Sequence, residues 1–359
     1  SDWSSDVCSS DLTGGAGFIG QYVARALTRR GHEVVALDTL EQQVHADPEG
    51  AAARFPGDVL RRDVSDPASW ADLPEVGGVI HLAAETGTAQ SMYEQDRYRR
   101  VNVEGTRLAA EFAASRGLPL VFLSSRAVYG EGLVATSPLA SSDGRDFGPD
   151  GLFVPSGEDQ PHAPLSVYGE TKSEAEEIAR TALADGRLAI LRPQNVVGLG
   201  QALHNPYTGV LAAFLARLKA GLPLTVYGDG TATRDFVHVS DVAAAIVWAL
   251  EAPRRGEPVI ANVGTGVRMD LDELAETAQA AGRGPEVEIT HVEVHRAGDI
   301  DHACADMTHA WSLGMPRPRL TSQEAIADFI SHSWDLEAAD PRLWDRALEE
   351  LTERGLAES

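Results

Sequence analysis

The chain has 359 residues, 43% of them hydrophobic, and its 30 Lys+Arg against 54 Asp+Glu give a formal net charge of -24 at pH 7. This length is typical of one large α/β domain or of two lobes. The acidic balance argues against a nucleic-acid partner, because no concentrated basic face is offered to phosphates. No run of about eighteen apolar residues occurs, so the sequence predicts no membrane span.

Two cysteines exclude a disulfide framework and a cysteine-rich zinc site. The eleven histidines show no paired spacing of the kind that binds metals. We therefore expect a cytoplasmic protein without a structural metal.

Residues 1–12 fit neither a signal peptide nor a buried strand, because they have no basic start and no apolar run. They resemble one reading frame of a sequencing adapter, in which case the natural first strand has been replaced; a genuine polar tail is the alternative. We expect 1–12 to be a non-native segment.

A glycine-rich run from Thr13 to Gly20 opens a helical pattern that continues to Gly31. Glycines at this spacing let the backbone turn tightly and approach a pyrophosphate at a helix N-terminus, although a structural turn alone would also explain them. Asp38 ends the second predicted strand, where a carboxylate binds a ribose 2′-hydroxyl and repels a 2′-phosphate. These features favour NAD over NADP.

Strands alternate with helices through this half of the chain. After the second strand, the sequence predicts a third that closes at 62–64 and others at 78–84, 120–130 and 187–192, and helices over 93–116 and 167–183. Asp63, after the third strand, is either an adenine contact or a solvated loop residue. The alternation predicts an α/β fold with a doubly wound parallel sheet.

Tyr168 and Lys172 lie on one face of a predicted helix start. A nearby lysine cation stabilises a phenolate, so a phenol with an ordinary pKa of about 10 can act as a base. Two solvated surface residues would show the same spacing. Lys172 and Lys219 are the only lysines, which favours a chemical role because arginine cannot exchange a proton at usable pH.

Ser124 and Ser125 end the apolar strand that begins at Leu120. Ligands of parallel sheets bind beyond the carboxyl ends of the strands, so these hydroxyls point to the site. Serines that merely end a strand are equally common.

In order and spacing, the glycines of residues 14–20, Ser125, Tyr168 and Lys172 resemble the extended short-chain dehydrogenase/reductase family of nucleotide-sugar epimerases and dehydratases, over about residues 13–335. The resemblance implies a Rossmann-type NAD-binding half over 13–195, a smaller, mainly nucleotide-sugar-binding lobe over 196–335 and a helical tail over 336–359. It also implies that Ser125 hydrogen-bonds the sugar hydroxyl, Tyr168 removes its proton, and Lys172 holds the nicotinamide ribose and lowers the tyrosine pKa.

The expected site residues fall into two sets. The cofactor contacts are Gly14, Gly17, Phe18, Ile19, Gly20, Asp38, Asp63, Val64, Leu82, Ala83, Ala84, Asn102, Ser124, Tyr168, Lys172 and Pro193. The substrate contacts are Thr86, Ser125, Arg126, Asn195, Asn205, Arg234, Arg296 and Asp299. Arg234 and Arg296 would converge on a diphosphate, although two surface arginines would look the same in sequence.

Arg126 and Ala127 stand where dehydratases and decarboxylases of the family carry acidic residues, and elimination needs such an acid and base. We therefore expect a nucleotide-sugar 4-epimerase that oxidises and reduces one carbon. A net reductase or dehydrogenase, or a non-catalytic nucleotide-binding protein, is the alternative. The runs 85–94, 124–132 and 205–209 are most similar to the dTDP-L-rhamnose 4-epimerases of the family.

Three further expectations concern the surroundings of the site. The irregular loop from Glu131 to Pro164 is expected to be a mobile cover over the sugar. The amphipathic pattern from Pro341 to Leu356 predicts a packing helix. Family resemblance predicts a homodimer through the helices that contain Asn102 and Tyr168.

Overall fold

The computed structural model describes residues 9–131, 133–134, 153–184, 186–205, 209–252, 256–296, 298–337 and 339–358. Its strands are β1 (Ser9–Thr13), β2 (Glu33–Asp38), β3 (Asp58–Arg61), β4 (Gly78–His81), β5 (Leu120–Leu123), β6 (Leu133–Val134), β7 (Phe153–Val154), β8 (Leu188–Pro193), β9 (Asn195–Val197), β10 (Leu224–Tyr227), β11 (Thr233–Arg234), β12 (Phe236–His238), β13 (Val259–Val263), β14 (Met269–Asp270), β15 (Ile289–Val292), β16 (His295–Arg296) and β17 (Ala357–Glu358).

The helices follow the same chain order. They are α1 (Phe18–Thr28), α2 (Pro48–Arg54), α3 (Thr88–Ser91), α4 (Gln95–Tyr98), α5 (Gly105–Arg116), α6 (Val167–Ala182), α7 (Val210–Ala220), α8 (Val239–Glu251), α9 (Leu271–Ala281), α10 (Thr308–Ser312), α11 (Ser322–Ser333) and α12 (Arg342–Glu353). Short 3-10 turns lie at Pro67–Trp70 and Arg126–Tyr129, and a π-helical segment, Arg99–Glu104, joins α4 to α5.

A seven-stranded sheet in the order β13-β8-β5-β4-β1-β2-β3 forms the frame, and all its pairs are parallel. Helices α1 and α8 cover one face, where Val23 and Ile246 belong to one buried cluster. Helices α5 and α6 cover the other face through Phe112 and Ala179. The expected doubly wound α/β architecture is confirmed.

A smaller lobe packs beside the carboxyl ends of the strands. Phe214 of α7, Leu274 of α9 and Phe329 of α11 form its buried core with the apolar residues of β10. Thr321 begins α11 with a reciprocal hydrogen-bond pair to Glu324, which satisfies N–H groups at the helix start. This lobe supplies the second wall of the cleft described below.

Two elements that follow residue 195 pack with the large sheet and its helices. Strand β13 pairs with β8 at the edge of the large sheet, and α8 packs against α1. The chain therefore returns to the nucleotide half after residue 195, because β8 leaves an edge that a further parallel strand can pair. The short run Val259–Val263 carried no helical or alternating pattern that indicated this strand.

The expectation that the first residues cannot form a buried strand is wrong for Ser9–Thr13. These residues form β1, which pairs with β2 and β4 in the middle of the sheet. Main-chain pairing does not depend on side-chain identity, so a polar segment can occupy the position. The cost is visible at Asp11, whose two carboxylate oxygens are buried and have no hydrogen-bond partner among the described residues.

No helix in the described part of the chain is long and apolar enough to cross a membrane. Across the same ranges, no cluster of three or more His, Cys, Asp or Glu side chains has the arrangement of a metal site.

Replacing Asp11 is expected to stabilise the protein. Burial raises the pKa of Asp11 to about 7, although the charge of Arg62 opposes the rise. Between pH 4 and 7 the unfolded chain loses this proton while the folded chain retains it, so wild-type stability falls as pH rises. We expect Asp11→Asn and Asp11→Val to raise the free energy of unfolding at pH 8 by about 3 kcal/mol or more, measured by urea denaturation, with a much smaller gain near pH 4. An equal gain at both pH values would contradict this explanation.

Candidate active site

A cleft of about 2550 Å³ lies between the carboxyl ends of the parallel strands and the smaller lobe. It is lined by every residue that the sequence predicts for the site except Asn102. The structure therefore brings the predicted site residues of both lobes together in one cavity.

The glycine loop between β1 and α1 has no room for side chains. Gly14 has a φ of +66°, and a Cβ there would lie 2.8 Å from the Ala83 nitrogen. A Cβ at Gly20 would lie 2.4 Å from the Gly15 carbonyl oxygen. No side chain caps α1, whose first residues lie on the cleft wall. A close backbone approach and an uncapped helix start together fit a pyrophosphate.

Asp38 ends β2 beside this loop and is 8% exposed. Its carboxylate accepts hydrogen bonds from the backbone nitrogens of Ala16 at 3.1 Å and Leu40 at 2.9 Å. It thus fixes the glycine loop, and its negative charge at the cleft wall disfavours a 2′-phosphate.

Asp63 is engaged by protein groups rather than being a free loop carboxylate. It accepts hydrogen bonds from the Ser65 backbone and hydroxyl at 2.8 and 2.7 Å and pairs with Arg100 at 2.6 Å. Although burial opposes it, these contacts lower the pKa of Asp63. Asp63 and Val64 still line the cleft.

Asn102 is placed among the cofactor contacts by the sequence, whereas in the structure it lies behind the cleft wall. Its side-chain oxygen accepts from the Glu85 nitrogen at 2.8 Å, and its amide donates to the Glu85 carbonyl and the Thr171 hydroxyl at 3.1 and 3.0 Å. The π-helical segment turns Asn102 toward these partners, as irregular helical turns often do near functional sites. Asn102 therefore holds the loop after β4 against α6.

Ser124 and Ser125 follow β5 and use their hydroxyls differently. The Ser124 hydroxyl donates to the buried Glu176 carboxylate at 2.5 Å. The Ser125 hydroxyl accepts from the Ala127 nitrogen at 3.1 Å, and its interaction with the Tyr168 phenol lowers the pKa of that phenol. Ser125 is thus the serine that faces the reactive tyrosine.

Tyr168 lies in the first turn of α6, where Ser166 caps the helix by accepting from the Gly169 nitrogen at 3.2 Å. Its backbone nitrogen donates to the Ser91 hydroxyl at 3.0 Å, and its ring packs edge-on against Tyr98. These contacts hold the phenol at the cleft beside Ser125. Burial raises the pKa of Tyr168, and the Ser125 hydrogen bond and the charge of Arg126 lower it in part.

Lys172 is buried one helical turn after Tyr168, and its role at the nicotinamide ribose stays a prediction. Its ammonium donates to the Leu123 carbonyl at 2.9 Å and lies 5.0 Å from the centre of the Phe122 ring. Burial lowers the pKa of Lys172 to about 7, although Glu176 opposes the fall. The cation that lowers the pKa of Tyr168 in this structure is Arg126, which the sequence placed among the substrate contacts.

Three arginines extend from Tyr168 along the cleft. Arg126 donates to the Gly130 carbonyl at 2.6 Å. Arg234 donates to the carbonyls of Thr233, Ile300 and Asp301 at 2.7 to 3.0 Å. Within the described ranges neither guanidinium has a carboxylate within ion-pair distance, and burial lowers both pKa values, that of Arg126 to about 10.

Arg296 continues this row and is held differently. It forms a two-point ion pair with Asp299 at 2.8 and 3.2 Å and lies 5.1 Å from the centre of the Tyr227 ring. Although burial opposes it, Asp299 raises the pKa of Arg296. Desolvated guanidinium groups at a cleft wall are suited to bind phosphate oxygens.

Sequence reasoning missed the buried network behind the catalytic residues. Arg192, at the end of β8, donates to both oxygens of Glu176 at 2.9 and 2.6 Å and to the Tyr129 hydroxyl at 3.0 Å. Its Nη2 amino group, which binds Glu176, also lies 2.7 Å from the His162 ring nitrogen Nε2. The signal was available: Glu176 lies one helical turn beyond Lys172, on the buried face of α6.

The remaining expected contacts are also on the cleft wall. Thr86, Leu82, Ala83 and Ala84 follow β4, and Pro193 and Asn195 end β8 and begin β9. Asn205 is buried at the cleft, and residues 206–208 lie outside the described residues. Residues 132 and 135–152 also lie outside the described residues, and they make up most of the loop that is expected to cover the sugar.

His238 caps the start of α8. Its ring nitrogen accepts a hydrogen bond from the Ser240 backbone nitrogen at 3.2 Å.

Comparison with known proteins gives a consistent result. A protein-family sequence model described as "NAD dependent epimerase/dehydratase family" matches residues 12–264. A dTDP-L-rhamnose 4-epimerase of Burkholderia thailandensis is 36% identical over 356 residues, covering 92% of this chain and 95% of that protein.

Two solved structures share the fold over almost their whole lengths. UDP-glucose 4-epimerase of Thermotoga maritima with UDP-glucose has a TM-score of 0.76 and 26% identity, and covers 92% of this chain and 100% of its own. UDP-glucose 4-epimerase of Thermus thermophilus in complex with NAD has a TM-score of 0.72 and 28% identity, with the same coverage. The glycine loop and these matches together establish that the chain belongs to the NAD-dependent epimerase/dehydratase family.

Proposed function

We propose that this protein is an NAD-dependent 4-epimerase of a nucleotide-diphosphate sugar. The observation that carries the proposal is that Ser125, at the carboxyl end of β5, and Tyr168, in the first turn of α6, line the same cleft as the glycine loop. It puts a proton acceptor beside the position where a hydride acceptor would bind.

The residues fit NAD at three places. The glycine loop and the start of α1 would hold the pyrophosphate, Asp38 the adenosine ribose, and Lys172 the nicotinamide ribose. When bound, NAD accepts a hydride from the sugar carbon and later returns it.

Tyr168 moves the proton in the proposed reaction. Its phenolate accepts the proton of the sugar 4-hydroxyl as that carbon is oxidised, and its phenol returns a proton to the oxygen on reduction. Ser125 keeps that oxygen within hydrogen-bond reach of Tyr168. Arg126 stabilises the phenolate by its positive charge.

Epimerisation requires that the keto sugar present its other face while the rest of the substrate stays bound. Arg234 and Arg296 are fixed by carbonyl and carboxylate partners, so they can hold the diphosphate without moving. Thr86, Ser125 and Ala127 contribute short side chains to the wall at the sugar end. The cleft thus combines a rigid anchor with room at the sugar end.

The finer assignment rests on sequence likeness. The runs 85–94 and 124–132 and the similarity to the Burkholderia thailandensis protein favour dTDP-L-rhamnose as the substrate, and a UDP-sugar is the alternative. A net nucleotide-sugar oxidoreductase would use the same residues but exchange NAD at each turnover. Arg126 and Ala127 leave no acid between Ser125 and Tyr129, which disfavours a dehydratase.

We further propose a cytoplasmic homodimer formed through the helices that contain Asn102 and Tyr168. Support comes from the family resemblance and from the packing of α5 against α6, which presents one two-helix surface. The domain limits at 13–195 and 196–335 are kept as a proposal, with β13 and α8 assigned to the nucleotide half.

The function is tested with the purified protein and a set of nucleotide sugars. We expect interconversion of two 4-epimers, seen in the anomeric and H4 proton signals by NMR, without a net absorbance change at the NADH wavelength. Tyr168→Phe should lower kcat by about 10²-fold or more and leave NAD binding intact. Stoichiometric NADH change would instead identify a net oxidoreductase, and full turnover by Tyr168→Phe would exclude the catalytic role.

The role of Arg126 is tested by the pH dependence of kcat/KM. Arg126→Gln removes the positive charge, so the pKa of Tyr168 should rise and the ascending limb of the profile should move to higher pH by about one unit. Arg126→Lys keeps a positive charge, so it should return the ascending limb most of the way to its wild-type pH. Arg283 forms an exposed ion pair with Asp335, and Arg283→Gln should leave the pH of the limb unchanged. If the ascending limb of Arg126→Gln stayed at its wild-type pH, the cation that stabilises the Tyr168 phenolate would be Lys172.

A further inference from the structure

The last described segment of the chain, 339–358, forms part of the cleft. Helix α12 presents an apolar face, with Leu351 only 4% exposed. Trp344, Ala347 and Leu348 on that face, and Leu351 itself, line the same cleft as Tyr168 and the glycine loop. A helix that only packed on the outside of the lobe would not reach this wall.

Contacts to both halves of the protein hold the segment across the cleft. Asp345 pairs with Arg217 of α7 at 3.2 Å, and β17 pairs with β16 next to the diphosphate arginine Arg296. At the end of α12, the Arg354 guanidinium lies 4.3 Å from the centre of the ring of Tyr93, a residue that follows α3 in the nucleotide half. The segment is therefore anchored on both sides.

The order of charged groups shows which part of a substrate lies beside α12. Arg126 interacts electrostatically with Tyr168 and with Arg234, and Arg234 interacts with Arg296. Arg296 in turn lies against the ring of Tyr227.

Tyr227 marks the far end of this row, because it interacts electrostatically with Asp345 of α12 and with Arg217. A sugar at Tyr168 and a diphosphate at Arg234 and Arg296 therefore place the nucleoside near Tyr227 and α12.

Trp344 adds a second, independent observation at this position. Its indole nitrogen is buried and has no hydrogen-bond acceptor among the described residues, although its side chain lines the cleft. Buried donors are almost always paired in folded proteins, so an orphan on a cleft wall indicates that a ligand supplies the acceptor. A flat indole with one polar edge is suited to stack on a base and to donate to a carbonyl or ribose oxygen.

We propose that the C-terminal segment completes the nucleoside subsite and that Trp344 binds the base or ribose of the nucleoside diphosphate. The inference rests on the proposed function, because it takes the sugar at Tyr168 to fix the direction of the substrate. It assigns substrate recognition to a helix whose sequence pattern indicated packing alone.

The test is calorimetric binding of UDP, dTDP and inorganic pyrophosphate to the NAD-loaded protein. Trp344→Ala is expected to weaken binding of the tighter nucleoside diphosphate by at least about tenfold, and Trp344→Phe, which keeps a ring but loses the donor, by about fivefold. Pyrophosphate has no base, so its affinity should not change. Unchanged nucleotide affinity in Trp344→Ala would overturn the inference.

Trp311→Phe is the matched control. The indole nitrogen of Trp311 is also buried without a partner among the described residues. The Arg317 guanidinium carbon lies 4.1 Å from the centre of the Trp311 ring, and Trp311 does not line the cleft. This variant should bind nucleotides as the wild type does, and a loss equal to that of Trp344→Phe would overturn the inference. If wild-type protein bound neither UDP nor dTDP, the proposed function would fail as well.

Proteolysis gives a second measurement that needs no substitution. Trypsin sites at Arg342 and Arg346 lie in α12, and a bound nucleoside diphosphate should slow cleavage there by about tenfold or more if it contacts this helix. Equal cleavage rates with and without saturating nucleotide would overturn the proposal.

Discussion

The buried carboxylate of Glu176 is the contact on which the active-site geometry depends. It accepts the Ser124 hydroxyl at 2.5 Å from the end of β5 and binds Arg192 at the end of β8 through both oxygens. It also lies one helical turn from Lys172 on α6. Removing one partner of a buried ion pair costs about 3–5 kcal/mol, because the other charge is left without compensation. Two strand ends and the catalytic helix are thus fixed relative to one another by one side chain.

The arginines along the cleft give one stretch of its wall a positive charge. The protein carries a net charge of -24, yet Arg126, Arg234 and Arg296 follow one another along the cleft. Neighbouring charges of one sign on a cleft wall concentrate ligands of the opposite sign. The acidic surface of the protein therefore does not prevent an anionic substrate from binding, because the arginines on the cleft wall are the charges nearest to it.

Much of the fold and most of the site could be predicted from the sequence because they depend on local patterns. The glycine loop, the Ser125 strand end and the Tyr168 helix start each have a recognisable backbone requirement. The role of Lys172 could not be predicted in the same way. Spacing places its ammonium on the correct helical face, but burial against Phe122 and the Leu123 carbonyl determines its charge.

Long-range pairing explains the other differences. Strand β13 and the polar β1 are held by main-chain pairing with strands far away in sequence, so their own residues give little indication of it. The amphipathic pattern of α12 predicted its apolar face but not the surface that this face covers. Which wall a terminal helix completes is fixed only when both lobes are folded.

The position of α12 helps to explain how the cleft can let a sugar rotate without releasing the substrate. A reactive 4-keto sugar is retained only if its other end stays bound while the ring rotates. Arg234 cannot reorient easily, because three main-chain carbonyls hold its guanidinium. Phosphate contacts alone, however, allow rotation about the diphosphate at both ends. A nucleoside held by a wall that is anchored at Arg217 and Tyr93 removes that freedom at one end, so rotation is confined to the sugar beside Tyr168.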